Sequence, residues 1–225
     1  PHQFSSGLGY TISYTWSKTL DEGGDGYFGV EGGVPEDPYN PKGSRGPASF
    51  SIPQMLTANF LYELPFGTGK PFSTRSSIVN YFIGNWQVNG IFTARTGQDF
   101  DVMAAGDIAN TGNAKTYERA DLVGNPYRSG AVAGNPSCSP PSGGTHTRSQ
   151  WFNPCAFATP AIGTLGNVSR NLLHGPDLWN LDASIHRNFP IREGLSLKLD
   201  AEAFNAFNHM VLGNPAATVT TQSTF

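Results

Sequence analysis

The sequence predicts an all-β fold, a long antiparallel meander of about five to six strands. Apolar and polar residues alternate with period two over stretches of about ten residues, which places one set on each face of a strand. The connections between these stretches alternate between long and short. Gly 27 and Pro 17 together make up about a fifth of the 225 residues, as a chain with many turns requires.

The first strand is expected near 7–17, where Leu8, Tyr10, Ile12, Tyr14 and Trp16 alternate with Gly9, Thr11, Ser13, Thr15 and Ser17. The second, near 55–64, sets Leu56, Ala58, Phe60, Tyr62 and Leu64 against Thr57, Asn59 and Glu63. In the third, near 85–104, Trp86, Val88, Gly90, Phe92 and Ala94 oppose Gln87, Asn89, Thr93 and Arg95, and Phe100–Ala104 reads as its extension. The fourth, near 178–189, carries Trp179, Leu181, Ala183, Ile185 and Phe189 against Asn180, Asp182, Ser184, His186 and Asn188. The fifth, near 195–208, opens with Leu195, Leu197, Leu199, Ala201 and Ala203 against Ser196, Lys198, Asp200 and Glu202. Ten strand residues rise about 33 Å, or about 23 Å along the normal at a tilt of about 45°. That is the height of an outer-membrane apolar band, whereas strands of soluble domains average about five or six residues. Lys198, Asp200 and Glu202 on one face require water or charged partners, which either a hydrated lumen or bulk water on one side of a sandwich supplies.

The connections at 18–53 and 105–177 are long, rich in Gly and Pro, and polar. Those holding Pro65–Lys70 and Pro190–Gly194 are short. Outer-membrane barrels alternate short periplasmic turns with long extracellular loops. The order here therefore predicts a partial outer-membrane β-barrel spanning 1–225 as a single domain, its first, third and fifth strands running outward. Tyr10, Tyr14, Trp16, Tyr62, Trp86 and Trp179 are candidates for an interfacial aromatic girdle.

Composition agrees with that setting. Charged residues are 14% and aromatics 12%, against about 25% charged in soluble domains, yet mean hydropathy is −0.31. A net charge of −3 offers no basic field for nucleic acid. No apolar run approaches the roughly 18 residues of a membrane helix, and nothing near Pro1 reads as a signal peptide. The tail Ala216–Phe225 is polar and Thr-rich and does not alternate. Five strands with two open edges cannot satisfy their edge groups in lipid.

Cys138 and Cys155 lie 17 positions apart. They are read either as a loop-stapling disulfide, which implies an oxidising compartment, or as two free thiols. No His or Cys lies nearby at zinc-ligand spacing. The carboxylates of Asp21-Glu22-Gly23-Gly24-Asp25-Gly26 read as a calcium loop or a solvated acidic loop; the spacing is not that of an EF-hand. His2, His146, His174, His186 and His209 are scattered, and no Gly-x-Ser-x-Gly elbow accompanies them. Gly7-Leu8-Gly9 and Gly67-Thr68-Gly69 are turn glycines, not phosphate cradles. The expectation is no catalytic residue, cofactor or metal. Candidate ligand contacts are the aromatics and Arg of the long loops, a set suited to sugars or peptides: Tyr27, Phe28, Tyr39, Tyr117, Arg119, Arg148 and Trp151.

Seven phrases, in order, resemble the C-terminal barrel of TonB-dependent outer-membrane receptors of the Oar-like type, which carry a carboxypeptidase-regulatory-like N-terminal domain. They are Tyr14-Thr15-Trp16-Ser17-Lys18, Tyr62-Glu63-Leu64-Pro65-Phe66-Gly67, and Trp86-Gln87-Val88-Asn89-Gly90-Ile91. Then come Trp151-Phe152-Asn153-Pro154 with Ala156-Phe157-Ala158, Gly166-Asn167 with Arg170-Asn171, Gly175-Pro176, and Ala201–His209. The resemblance implies a transporter or receptor of the bacterial outer membrane that handles a bulky ligand without catalysis. Its implied partners are outer-membrane lipid, the remainder of its own barrel and plug, and the TonB system. Nothing in these residues resembles the plug or the TonB-contacting segment. The family's barrel runs on beyond Asn208 into one more strand ending in an aromatic residue, so the resemblance implies that this chain stops short of the closing strand. Two other readings stay open: an extracellular β-sandwich that binds carbohydrate or another ligand, and a hydrolase of unrecognised type using a His and a carboxylate in the long loops.

Overall fold

The computed structural model describes residues 2–3, 7–22, 36–37, 39–112, 118–140 and 142–219. They form two compact units. The first comprises 1–16, 54–95 and 178–211, and the second 17–53, 96–177 and 212–225.

The first unit is a wall of long strands: β1 (Leu8–Trp16), β2 (Gln54–Glu63), β3 (Trp86–Arg95), β4 (Leu178–Arg192) and β5 (Leu195–Ala203). They lie side by side in chain order, every neighbouring pair antiparallel, with His2–Gln3 paired outside β1. This is the predicted meander, and the described sheet does not close into a barrel. Pairing keeps the two periodic sets on separate faces across the whole sheet. Leu8, Tyr62, Val88, Ile185 and Ala201 form one cross-strand row, and Ile12, Ala58, Phe92 and Leu181 another. The opposite face carries Thr11, Asn59, Ile91 and Asp182, and beside them Ser13, Thr57, Thr93 and Asn180. A one-residue slip of any strand would exchange its faces, so the alternation itself specifies the register.

The apolar face is open. Ile12 is 62% exposed and Trp16 81%, so these residues are not the buried filling of two stacked sheets. Tyr14, Trp16 and Trp179 mark the end bearing the long connections; Tyr62, Trp86 and Phe189 mark the other. The polar face is internally bonded. Gln87 Nε2 donates to Glu63 Oε1 at 3.3 Å, Asn89 Nδ2 lies 2.9 Å from His186 Nδ1, and Lys198 pairs with Asp200 at 2.8 Å.

The end of β3, the ends of β4 and β5, and one connection differ from the sequence expectation. β3 stops at Arg95 instead of continuing to 104. A Cβ on Gly97 would stand 2.0 Å from the Gly175 carbonyl oxygen, and the Gly97 N–H donates to Asp177 Oδ1 at 3.0 Å, which turns the chain away. β4 runs on to Arg192, while β5 ends at Ala203. Beyond it Asn205 and Asn208 take the left-handed conformation, with φ of 48° and 49°, and a strand cannot continue through it. The third difference is a helix, α1 (Ser77–Ile83), inside the connection from β2 to β3. Ser76 caps it by accepting the Val79 N–H at 3.4 Å.

The second unit has structure and a core of its own, although its segments read as polar loops. Phe100, Val102, Ala120, Phe152, Ala156, Phe157, Val168 and Leu173 are buried together, with Ala217 and Val219 of the polar tail packed against them. Two-residue ladders hold it, among them Asp99–Phe100 with Leu173–His174 and Met103–Ala104 with Glu118–Arg119.

Candidate functional site

The phrase Trp151-Phe152-Asn153-Pro154-Cys155 organises the second unit, one residue at a time. Phe152 points into the core, edge-on to Phe157 with centroids 5.6 Å apart. Asn153 is buried, and its Nδ2 donates to the Arg128 and Gly130 carbonyls at 2.9 and 2.8 Å. Its Oδ1 accepts the Cys155 N–H at 3.0 Å, starting a short 3₁₀ turn with Pro154 in first position. Cys155 is joined to Cys138, with Cα atoms 5.5 Å apart. A buried amide satisfied on both ends and a cross-link to a loop fix this strip firmly.

Trp151 is thereby held at the surface. Its Nε1 donates to the His174 carbonyl at 2.6 Å. His146 stands edge-on to Trp151 with centroids 5.1 Å apart and stacks on Tyr127 at 5.0 Å. Tyr127 and His146 are exposed and Trp151 half-buried, so three aromatic rings form a ridge. Below it the His174 N–H donates to the Tyr127 hydroxyl at 3.3 Å. His174 Nδ1 is hydrogen-bonded to the carboxylate of Asp99, its cross-strand partner. The hydrogen bond to Asp99, and then its charge, raises the His174 imidazole above its usual pKa, against the opposing effect of burial. Burial also pushes the Tyr127 phenol up.

The predicted contact residues are dispersed. Trp151 is in the ridge. Tyr39 is almost fully exposed, and Arg148 is exposed within the Thr147–Gln150 turn. Arg119 is enclosed: it pairs with Glu36 at 2.6 Å, and its Nη2 donates to the Gly43 carbonyl at 3.2 Å. That guanidinium braces the unit from within. Glu36 is pushed up by burial, which the charge of Arg119 opposes. Tyr27, Phe28 and Tyr117 lie outside the described residues. Sequence reading missed Tyr127, and it saw His146 and His174 only as isolated histidines. Their shared signal is proximity to the Trp-Phe-Asn-Pro phrase, which spacing alone does not reveal.

Of the acidic stretch read as a calcium or solvated loop, Asp21 forms an ion pair with Arg170, and Asp25 lies outside the described residues. Among the described residues no group of three His, Cys, Asp or Glu side chains is gathered to hold a metal.

A family model described as an outer membrane beta barrel domain matches residues 1–225. No curated protein and no solved structure matches the chain. A sheet with one largely apolar face, one hydrogen-bonded polar face and strands of nine to fifteen residues is what such a domain presents to lipid and lumen. The chain belongs to the outer membrane beta barrel domain family, and its place is the bacterial outer membrane.

Proposed function

We propose that this chain is the wall and loop portion of a TonB-dependent receptor, which takes a bulky ligand at its long loops and passes it without chemical change. The observation that carries the reading is the aromatic ridge of exposed Tyr127 and His146 with half-buried Trp151, on a disulfide-linked, separately packed loop unit. Flat rings held in place lose little entropy on stacking against sugar or peptide surfaces. The seven phrases shared with TonB-dependent receptors support the transport class, and the polar wall face supports a wet passage. TonB itself would act through the plug-bearing part of the receptor.

Two measurements test this in the full-length protein. Binding of labelled oligosaccharides and peptides should fall about tenfold or more in Trp151→Ala, with the disulfide intact; unchanged binding would remove the ridge from ligand capture. Cells lacking TonB should bind the ligand at the surface yet fail to accumulate it. Equal accumulation with and without TonB would remove the TonB-dependent reading.

A further inference from the structure

The connection between β2 and β3 contains a helix whose polarity is inverted. Within α1 the buried residue is Asn80. Its side chain donates to the Thr74 carbonyl at 2.7 Å and accepts from the Thr74 N–H at 2.7 Å and from the Thr74 hydroxyl at 3.0 Å. Its apolar residues face outward instead: Ile78 is 73% and Phe82 60% exposed. In water a helix arranged this way would place hydrocarbon against solvent and an amide inside, the reverse of the usual pattern.

α1 is fixed to the apolar face of the wall. Arg187 lies in the apolar register of β4, between Ile185 and Phe189, and cross-strand from Trp86 and Leu199. It is only 2% exposed. Its guanidinium carbon sits 4.1 Å from the Phe189 ring centroid, 5.6 Å from Tyr81 and 5.8 Å from Trp86, and Nη1 donates to the Phe82 carbonyl at the helix C-terminus. The same carbonyl accepts from Trp86 Nε1 at 3.1 Å, and the Tyr81 hydroxyl donates to the Pro190 carbonyl at 3.2 Å. Rings and a helix C-terminus thus enclose the cation that interrupts the apolar face. This lets the greasy surface of the wall continue onto α1.

We propose that α1 is an interfacial anchor in the periplasmic leaflet of the outer membrane, with Ile78 and Phe82 inserted among phospholipid acyl chains. Three observations converge on lipid as the occupant. The helix belongs to the short connections, the periplasmic end of an outer-membrane barrel. Its exposed side continues the face that the strands present to hydrocarbon. Tyr81 and Trp86, whose rings suit the headgroup level, stand beside it. The proposal rests on the lipid-facing assignment of that sheet face and is independent of the ligand reading.

The test uses the full-length protein in vesicles of phosphatidylethanolamine and phosphatidylglycerol. Single substitutions Ile78→Cys and Phe82→Cys, with Ser73→Cys as an exposed reference, carry a fluorophore on the free thiol. Correct assembly is checked by heat-modifiable gel mobility. Lipids brominated on the acyl chain should quench positions 78 and 82 several-fold more than position 73, and aqueous iodide should quench in the opposite order. Iodide access at 78 and 82 equal to that at 73 would overturn the proposal. So would protection from both quenchers, since it would mean that protein, not lipid, covers the helix.

Discussion

The Phe60 ring lies across the bare Cα of Gly90, its cross-strand partner on the apolar face. A methyl group built on Gly90 would stand 2.4 Å from the Phe60 Cε1 and Cζ. The aromatic ring fills the gap that glycine leaves in the β3 ladder, where an interior glycine otherwise weakens a strand. Gly90→Ala should therefore destabilise the wall by about 1–3 kcal/mol through overpacking. Combining it with Phe60→Leu should recover part of that loss, measured as urea midpoints in detergent micelles.

The two faces of β1 make a paired prediction. Ile12→Arg sets a cation against hydrocarbon and should cost about 2–4 kcal/mol near the bilayer midplane. Ser13→Arg, one residue along on the polar face, should change stability by less than about 1 kcal/mol. Equal costs at both positions would contradict a wall with one lipid face and one wet face.

Asp99 and His174 predict a pH dependence of the loop unit. The folded His174 pKa lies above its ordinary 6.5, so the pair contributes fully below about 6.5 and its contribution fades as pH rises through the folded value. Urea unfolding followed by Trp151 fluorescence should show stability falling across that window. Asp99→Asn should flatten the profile. A rise in stability with pH over the same range would reverse the assignment.

Replacing Cys138 and Cys155 by Ser removes a cross-link that closes a loop of 17 positions, which is worth about 3 kcal/mol in the chain-entropy description. The loop unit should then be cleaved faster by an external protease on intact cells, while the strands of the wall remain protected.

Gly97 accounts for the break after β3. Gly97→Ala pushes a Cβ into the backbone of Gly175 and Pro176 and should cost about 2–4 kcal/mol. The loss should register in unfolding of the loop unit, since Gly97, Gly175 and Asp177 all belong to it.

The wall was legible because its signal is local. In Leu8–Trp16 each residue declares its face, and a single lipid face and a single wet face leave one register. Arg187 broke the pattern of β4 and has meaning only once Tyr81, Trp86 and Phe189 surround it. α1 went unread because Ile78, Val79, Tyr81, Phe82 and Ile83 show no helical stripe of polarity; the cap at Ser76 and Gly84 is the signal that could have found it. The core of the second unit was invisible for a different reason. Phe100, Phe152 and Leu173 are far apart in the chain, each in a polar neighbourhood, and contacts of that range leave no periodic trace. Trp151 was picked out for its position in a loop, whereas the residues that complete its ridge are set by a hydrogen bond to His174 and stacking through His146.

The loop unit is assembled from three stretches, 17–53, 96–177 and 212–225, with pairs of wall strands threaded between them. No contiguous cassette therefore carries it. Recombination or grafting that exchanges one loop between two such proteins would deliver half a core, with Ala217 and Val219 facing foreign neighbours. A graft that keeps the core intact has to carry all three stretches together.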